Sequence, residues 1–247
     1  IRFYNGFMGK QDNIFEEGNL SGLPFTFNQE VTDVFEDMID RSVPGYKTSL
    51  KLITHTSKNY YQSDTNCYDI GCSLGASSLA ILKGAKDAKI IAIDNSSSMI
   101  KECEKRFQIL EEYQSISFKE EDITESELTN TSLVVVNYVI QFLSLEQRDI
   151  LLDKIYKALL PNGILILSEK VHYENRFETK RISKTHHNFK SLNGYTDLEI
   201  SGKRDSLEGV LITESEKDHI LRAEQSGFNI SEIVLSNMNF RTFKFIK

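Results

Sequence analysis

The feature that most constrains this chain is a rhythm that begins at Asn66 and runs to Lys170. Short apolar runs alternate with stretches of helical period. "NCYDIG" reads as a buried strand and Ala76 to Gly84 as a helix. "AKIIAID" is a second strand ending at Asp94, followed by a helix from Ser97 to Tyr113. "SISFKEED" is a third strand and the β-branched "SLVVVNYVI" a fourth. A helix from Leu145 to Leu160, a turn at Pro161-Asn162-Gly163 and a fifth strand, "ILILSEK", complete the series. Strands apolar on both faces must be covered on both faces, and helices that alternate with them supply the cover. The pattern predicts an α/β fold, a doubly wound and mostly parallel sheet with right-handed crossovers. A terminal hairpin, "FNISEIVLSN" and "FRTFKFIK", brings the sheet to seven strands.

The rest of the chain decorates that core, and the whole of 1–247 reads as a single domain. Residues 1–64 form an N-terminal segment and a helical cap. Within it Val31, Val34, Phe35, Met38 and Ile39 recur at helical spacing. Pro44-Gly45 breaks that helix and Tyr46 opens another, to Tyr60. The core sheet occupies 65–172. A charged, largely helical insertion containing His186-His187 fills 173–212. A last helix from Glu214 to Ser226 and the hairpin fill 213–247.

Bulk properties narrow the function. The chain has 29 basic and 36 acidic residues, a net charge of −7, which argues against a broad basic face for nucleic acid. No run approaches the roughly 18 apolar residues of a membrane helix. Three cysteines without a close pair, Cys67, Cys72 and Cys103, point to neither a disulfide framework nor a metal site, and to a reducing cytoplasm.

In an open α/β sheet, ligands bind at the carboxyl ends of the strands. "DIGCSLG" places Gly71 and Gly75 at the first such end, where backbone must pass close to a ligand. Asp94 ends the second strand, about 20 residues on, where a carboxylate can accept from both ribose hydroxyls. Asp122 ends the third, beside where an adenine amine would sit, and Asn137 ends the fourth. Four polar strand ends on one edge point to an S-adenosylmethionine (SAM) site. Two alternatives stay open. An NAD site would want the third glycine of G-x-G-x-x-G, which is missing, and each polar residue would also serve as a helix cap in any α/β protein. Cys72 has no histidine near it in sequence and reads as a packing residue. The aromatics Tyr60, Tyr61, Phe240, Phe243 and Phe245 read as core or interface.

The stretches "FNQEVTDVFEDMIDRSVPGY", "YDIGCSLGA", "IIAIDNSSSMI", "VVNYVIQFL", "LLDKIYKALLPNG", "LSEK", "NGYTDLEIS" and "KR…LE" resemble the carboxy-S-adenosyl-L-methionine synthase family, within the class I SAM-dependent methyltransferase-like superfamily. The resemblance runs from about Phe25 to the C-terminus. It implies that SAM and prephenate become carboxy-SAM and phenylpyruvate, and that a companion tRNA carboxymethyltransferase then modifies a wobble uridine. It also implies a homodimer and no metal. Position by position, it implies that Tyr46, Gly71, Cys72 and Ser73 contact the cofactor, the last three around its methionine part. Asp94 and Asn95 take the ribose and adenine side, Asp122 and Ile123 the adenine, and Asn137 the sulfonium end. Arg204 is implied as the catalytic group, gripping the added carboxylate, since a guanidinium binds a carboxylate bidentately and stays charged. Read without the resemblance, Arg204 is a surface cation in the solvated "GKRD". Prephenate's two carboxylates call for further cations, for which Arg41, Lys170, His186, His187 and Lys203 are candidates. An ordinary methyltransferase on a small molecule or tRNA, and a non-enzymatic SAM-binding partner, remain the competing readings.

Overall fold

The structure, a computed structural model, describes residues 10–16, 23–109 and 115–247. Seven strands form one sheet: β1 (Asn66–Ile70), β2 (Lys89–Asp94), β3 (Ile116–Glu120), β4 (Thr131–Asn137), β5 (Leu159–Lys170), β6 (Ile230–Asn237) and β7 (Phe240–Ile246). Their order is β3-β2-β1-β4-β5-β7-β6. β1 to β5 pair in parallel, and β7 lies antiparallel between β5 and β6. The sheet is therefore mixed, a parallel body with an antiparallel hairpin at one edge. The helices are α1 (Gln29–Ser42), α2 (Tyr46–Tyr60), α3 (Ala76–Gly84), α4 (Ser97–Phe107), α5 (Leu145–Ala158), α6 (Arg176–Leu192), α7 (Asp197–Ser206) and α8 (Glu216–Ser226).

Period-two alternation splits the central strands between two cores. Leu133 and Val135 of β4, with Ile164 and Ile166 of β5, pack with Ile53 of α2 and Ile81 of α3. Val134, Val136, Leu165 and Leu167 pack on the opposite face with Leu151 and Ile155 of α5 and Ala223 of α8. Burial on both faces leaves no solvated position from Leu133 to Val136 or from Ile164 to Leu167, which is why these segments read as unbroken apolar runs.

Several bounds differ from the sequence reading: β4 stops at Asn137, α5 at Ala158, and α8 starts at Glu216. The helix expected to reach Tyr113 ends at Phe107, and residues 110–114 lie outside the described ones. Pro161-Asn162-Gly163, expected as a separate turn, lies inside β5 as a bulge. Thr131 pairs with Leu159, whereas Leu133 pairs with Ile164, and Asn162 has φ +63°. Proline has no N–H for the ladder, so the strand loops out and then resumes.

The decorations close over one edge of the sheet. Val31, Val34 and Met38 of α1 pack on Leu74 of the glycine loop and Met99 of α4, with Phe25, Phe27 and Phe35 around them. α7 and α8 each start at a capping box, Thr196 with Glu199 and Ser215 with Asp218, so local sequence sets where they begin. The segment leaving the insertion is tied back by Arg148, whose side chain is 0% exposed. Its guanidinium donates to the Leu143 and Ile212 carbonyls and to the Glu214 carboxylate, which also takes two hydrogen bonds from Arg222. Among the described residues no helix is long and apolar enough to cross a membrane, and no three His, Cys, Asp or Glu side chains are grouped to hold a metal ion.

Arg148→Met keeps the volume and strands the carbonyls and part of the Glu214 charge. It is expected to lower the unfolding free energy by about 3–5 kcal/mol, read from urea denaturation followed by circular dichroism. A loss below about 1 kcal/mol would mean that the network is solvated and contributes little.

Candidate active site

Parallel register builds the site. Ile70 lies opposite Ile93 of β2 and Val136 of β4, so Gly71, Asp94 and Asn137 stand side by side one residue later. They open into a cleft of about 830 Å³, within the usual range for small-molecule sites of about 300–1,000 Å³. Tyr46, Gly71, Cys72 and Ser73 line it, as do Asp94, Asn95, Asp122, Ile123 and Asn137.

The glycine loop is shaped by sterics. Gly71 has φ +69°, and a Cβ there would lie 2.4 Å from Val139 Cγ2; Gly75 has φ +76°, and a Cβ there would lie 2.6 Å from the Phe107 ring. The Gly71 and Cys72 N–H groups donate to the Ile93 carbonyl at 2.8 and 3.0 Å. Asp94 then locks the two loops together, accepting from the Ser73 and Ser96 N–H groups at 2.9 Å each. Burial pushes its pKa up and those two donors push it down. Each carboxylate oxygen keeps a lone pair, which suits paired ribose hydroxyls. Beneath the loop the buried Asp69 accepts from Ser78 Oγ at 2.6 Å, and burial pushes its pKa up to about 7. Cys72 is buried, and its thiol pKa is pushed up by contact with Cys103 and by burial, which disfavours the thiolate.

At the next strand end, Asp122 Oδ1 accepts from the Thr124 hydroxyl and N–H at 2.7 and 2.8 Å, and these hold its pKa down. Asn137 donates to Ser77 Oγ at 3.4 Å, while its Oδ1 is buried with no partner among the described residues. An orphaned acceptor at this place asks for a donor or a positive centre. Tyr138 follows at φ +64°. Its ring lies 6.3 Å from Tyr46 and 5.9 Å from Phe240, and Phe240 meets His186 at 5.1 Å. Tyr138 and Phe240 line the cleft. Phe240, read from sequence as core or interface, is at once core and cleft wall.

The other half of the cleft is cationic. Lys170, Lys190, Lys203 and His186 all line it. Burial, aided by the charges of Lys203, Lys170 and Arg204, pulls Lys190 down to about 7. Burial pulls Lys203 down to about 8 against the opposing pull of Asp12, from which its Nζ lies 3.8 Å away. Burial also lowers Lys170. His186 Nε2–H donates to the Ser42 carbonyl at 2.7 Å; burial and the lysines drive its pKa to about 3, so the ring is neutral. The carboxylates that offset Lys203 are Asp12 and Asp37. They are already engaged by the Tyr195 hydroxyl and by Arg41. The cleft thus gathers three lysines on one side, of which Lys203 is paired with Asp12. Sequence reasoning missed Lys190, although it falls one helical turn after His186 on α6 and so shares its inward face.

The remaining cation candidates divide. Arg41 lines the cleft, but its guanidinium stacks on Tyr195 at 3.7 Å and donates to the Asn193 and Asp12 carbonyls, tying α1 to the insertion. His187 is not among the lining residues. Arg204, expected inside, is turned outward: its side chain is 67% exposed and pairs with Asp205 at 3.1 Å. The reason is helical phase. One residue is about 100° of rotation, and α7 turns Lys203 inward.

Comparison with known proteins places this geometry. Residues 68–165 match a family profile described as a methyltransferase domain. A carboxy-S-adenosyl-L-methionine synthase of Colwellia psychrerythraea is 40% identical over 238 residues, covering 96% of this chain and 98% of that protein. One from Citrobacter koseri is 39% identical over 242 residues, covering 97% and 98%. Among solved structures, human N-acetylserotonin methyltransferase in complex with SAM aligns with TM-score 0.62 at 15% identity, over 89% of this chain and 55% of that one. An O-methyltransferase family protein from Burkholderia thailandensis aligns with TM-score 0.64 at 11% identity, over 92% and 65%. This chain spans less than two thirds of those two, and the likeness speaks for the fold alone.

Asp94→Ala is expected to weaken binding of S-adenosylhomocysteine by about tenfold or more in titration calorimetry, the loss of at least about 1.4 kcal/mol. An unchanged affinity would remove Asp94 from the nucleoside site.

Proposed function

The chain belongs to the carboxy-S-adenosyl-L-methionine synthase family, and from that premise we propose that its carboxyl donor is prephenate, released as phenylpyruvate. The enzyme is a SAM-dependent transferase: SAM is its substrate and carboxy-SAM its product. In the proposed setting a companion enzyme carries the product's carboxymethyl group to a wobble uridine of tRNA, and the synthase works as a cytoplasmic homodimer.

The observation that carries the prephenate reading is the gathering of Lys170, Lys190 and Lys203 in the cleft that also holds the Asn137 strand end. A neutral methyl acceptor has no use for three cleft lysines, one of them buried, beside a cationic sulfonium. A dianion does, and it also screens the lysines from one another. SAM is proposed to lie with its ribose on Asp94 and Asn95 and its adenine by Asp122 and Ile123. Its methionine part then follows Gly71 to Ser73, and its sulfonium faces Asn137 and Tyr46. The sulfonium acidifies its methyl group. As prephenate aromatises, it loses carbon dioxide and its hydroxyl. The leaving hydroxide takes a methyl proton to become water, and the methyl carbon bonds to the carbon dioxide. Lys170, Lys190 and Lys203 hold the dianion against the methyl, and the cap and insertion keep carbon dioxide from escaping.

Arg204 is proposed as the grip on the new carboxylate. Its present partner, Asp205, is an exposed one, and such pairs hold by about 0–1 kcal/mol. A carboxylate inside the cleft is the stronger partner. The charge of Arg204 is close enough to depress the Lys190 pKa.

Three outcomes are expected. The ligand extracted from purified protein should weigh one carbon dioxide more than SAM; SAM or S-adenosylhomocysteine alone would favour an ordinary methyltransferase. Lys190→Met and Lys203→Met should each raise KM for prephenate about tenfold, leaving S-adenosylhomocysteine affinity native, while Arg204→Ala should lose bound carboxy-SAM and keep SAM. The pH dependence follows from the two lysines. They are charged below about 7 and about 8, and the dianion binds the charged forms. KM for prephenate should be lowest below pH 7 and climb as pH rises through both values; a flat profile would separate the lysines from prephenate.

A further inference from the structure

"LSEK" contributes Lys170 to the cleft, and the residue before it has a role that the reaction scheme leaves unused. Glu169 is 0% exposed and faces the opposite side of β5 from Lys170. Its Oε1 accepts from the Val139 and Ile140 N–H groups at 3.0 and 2.9 Å. Those two groups belong to the turn that leaves β4 directly after Asn137 and Tyr138. Its Oε2 is buried and has no partner among the described residues.

We propose that Glu169 is a positioning residue for the donor end of the reaction, holding the turn after β4 so that Asn137 and Tyr138 face the reactive methyl. Three observations converge on that role. First, the turn is strained: Tyr138 sits at φ +64°, a conformation a bulky residue keeps only when its surroundings enforce it. The Tyr138 N–H is tied to the Ser168 carbonyl at 2.7 Å, so β5 holds the strained residue by main chain on one side and by the Glu169 carboxyl on the next. Second, Ile140 opens the short 3-10 turn Ile140–Phe142, whose Gln141 and Phe142 line the cleft. One carboxyl oxygen therefore satisfies two otherwise free donors at the start of a cleft wall. Third, the same turn shapes the glycine loop. The Val139 side chain fills the place a Cβ on Gly71 would take, so a slack turn loosens the loop around the methionine part as well.

Burial pushes the Glu169 pKa up to about 8, against the Ile140, Val139 and Gln141 N–H groups and the charge of Arg148. Near neutral pH the group is therefore a neutral acid, and glutamine reproduces both its shape and its acceptor oxygen. Lys170, on the opposite side of the strand, stays out of this linkage, so Glu169 acts on the donor half of the cleft and leaves the lysine half alone. The inference rests on the reading that the sulfonium end lies at Asn137.

The test is steady-state kinetics with SAM and prephenate, S-adenosylhomocysteine calorimetry and thermal unfolding for Glu169→Ala, Glu169→Gln and Asn137→Ala. Glu169→Ala is expected to raise KM for SAM about tenfold and lower kcat by about tenfold or more, because displacement of about 1 Å at a reacting centre has effects of that order. KM for prephenate should stay native. Glu169→Gln should restore SAM kinetics to within about threefold of native. Should Glu169→Ala not fold, Glu169→Asp, which withdraws the same carboxyl by one methylene, is expected to show the same split in milder form. A variant that only unfolds at lower temperature, with both KM values native, overturns the positioning role, as does a Glu169→Gln enzyme no better than Glu169→Ala. If Asn137→Ala instead binds S-adenosylhomocysteine and turns over like the native enzyme, the placement of the sulfonium end itself is wrong.

Discussion

Everything in this molecule depends on the parallel register of β1 with its two neighbours. Because β2 and β4 flank β1 and all three run the same way, their carboxyl ends open on one edge. Residues remote in sequence come to lie beside Gly71 there, Asp94 on one side and Asn137 on the other. The crossovers on either side of β1 leave in opposite directions, which parts the helices above that edge and leaves a crevice. Antiparallel strands would have sent these ends to opposite edges, and no loop chemistry would have gathered them again.

A second level of organisation is charge. The donor half of the cleft is built from backbone donors and neutral or hydrogen-bonded acids, with Asp94 fixing the two loops and Asn137 offering an oxygen that has no partner among the described residues. The acceptor half is built from lysines held away from water. A buried cation without a partner opposes folding and lowers its own pKa. Keeping Lys170, Lys190 and Lys203 together therefore makes sense as preparation for an anion that arrives with its own charge. In the proposed arrangement a sulfonium on one side and lysines on the other attract a dianion between them from both directions.

The insertion does more than cover the site. α6 supplies His186 and Lys190, and α7 supplies Lys203. Arg41 stacked on Tyr195, with donors to Asn193 and Asp12, joins this insertion to α1. Arg148 binds its exit to α5. Two added pieces of chain, remote in sequence, thus become one roof, and both halves of the cleft lie beneath it.

By itself the sequence determined the parallel core, the order of its strands and helices, and the polar residue at each strand end, because these follow from short-range periodicity and from positions one residue past an apolar run. Asp94, Asp122 and Asn137 were legible in that way. What only the tertiary structure decided is which face of the insertion helices turns inward. Lys203 and Arg204 are neighbours in sequence with the same charge, and a rotation of about 100° puts one in the cleft and the other in solvent. Lys190 escaped notice for the same reason, since an inward cation on α6 looks like a solvated one in sequence. Glu169 reads as the polar end of a strand, and nothing local reveals that its carboxyl holds the turn after β4, thirty residues earlier. Phase, long-range pairing and burial are properties of the packed chain, and a linear pattern carries them only where apolar residues mark the buried side.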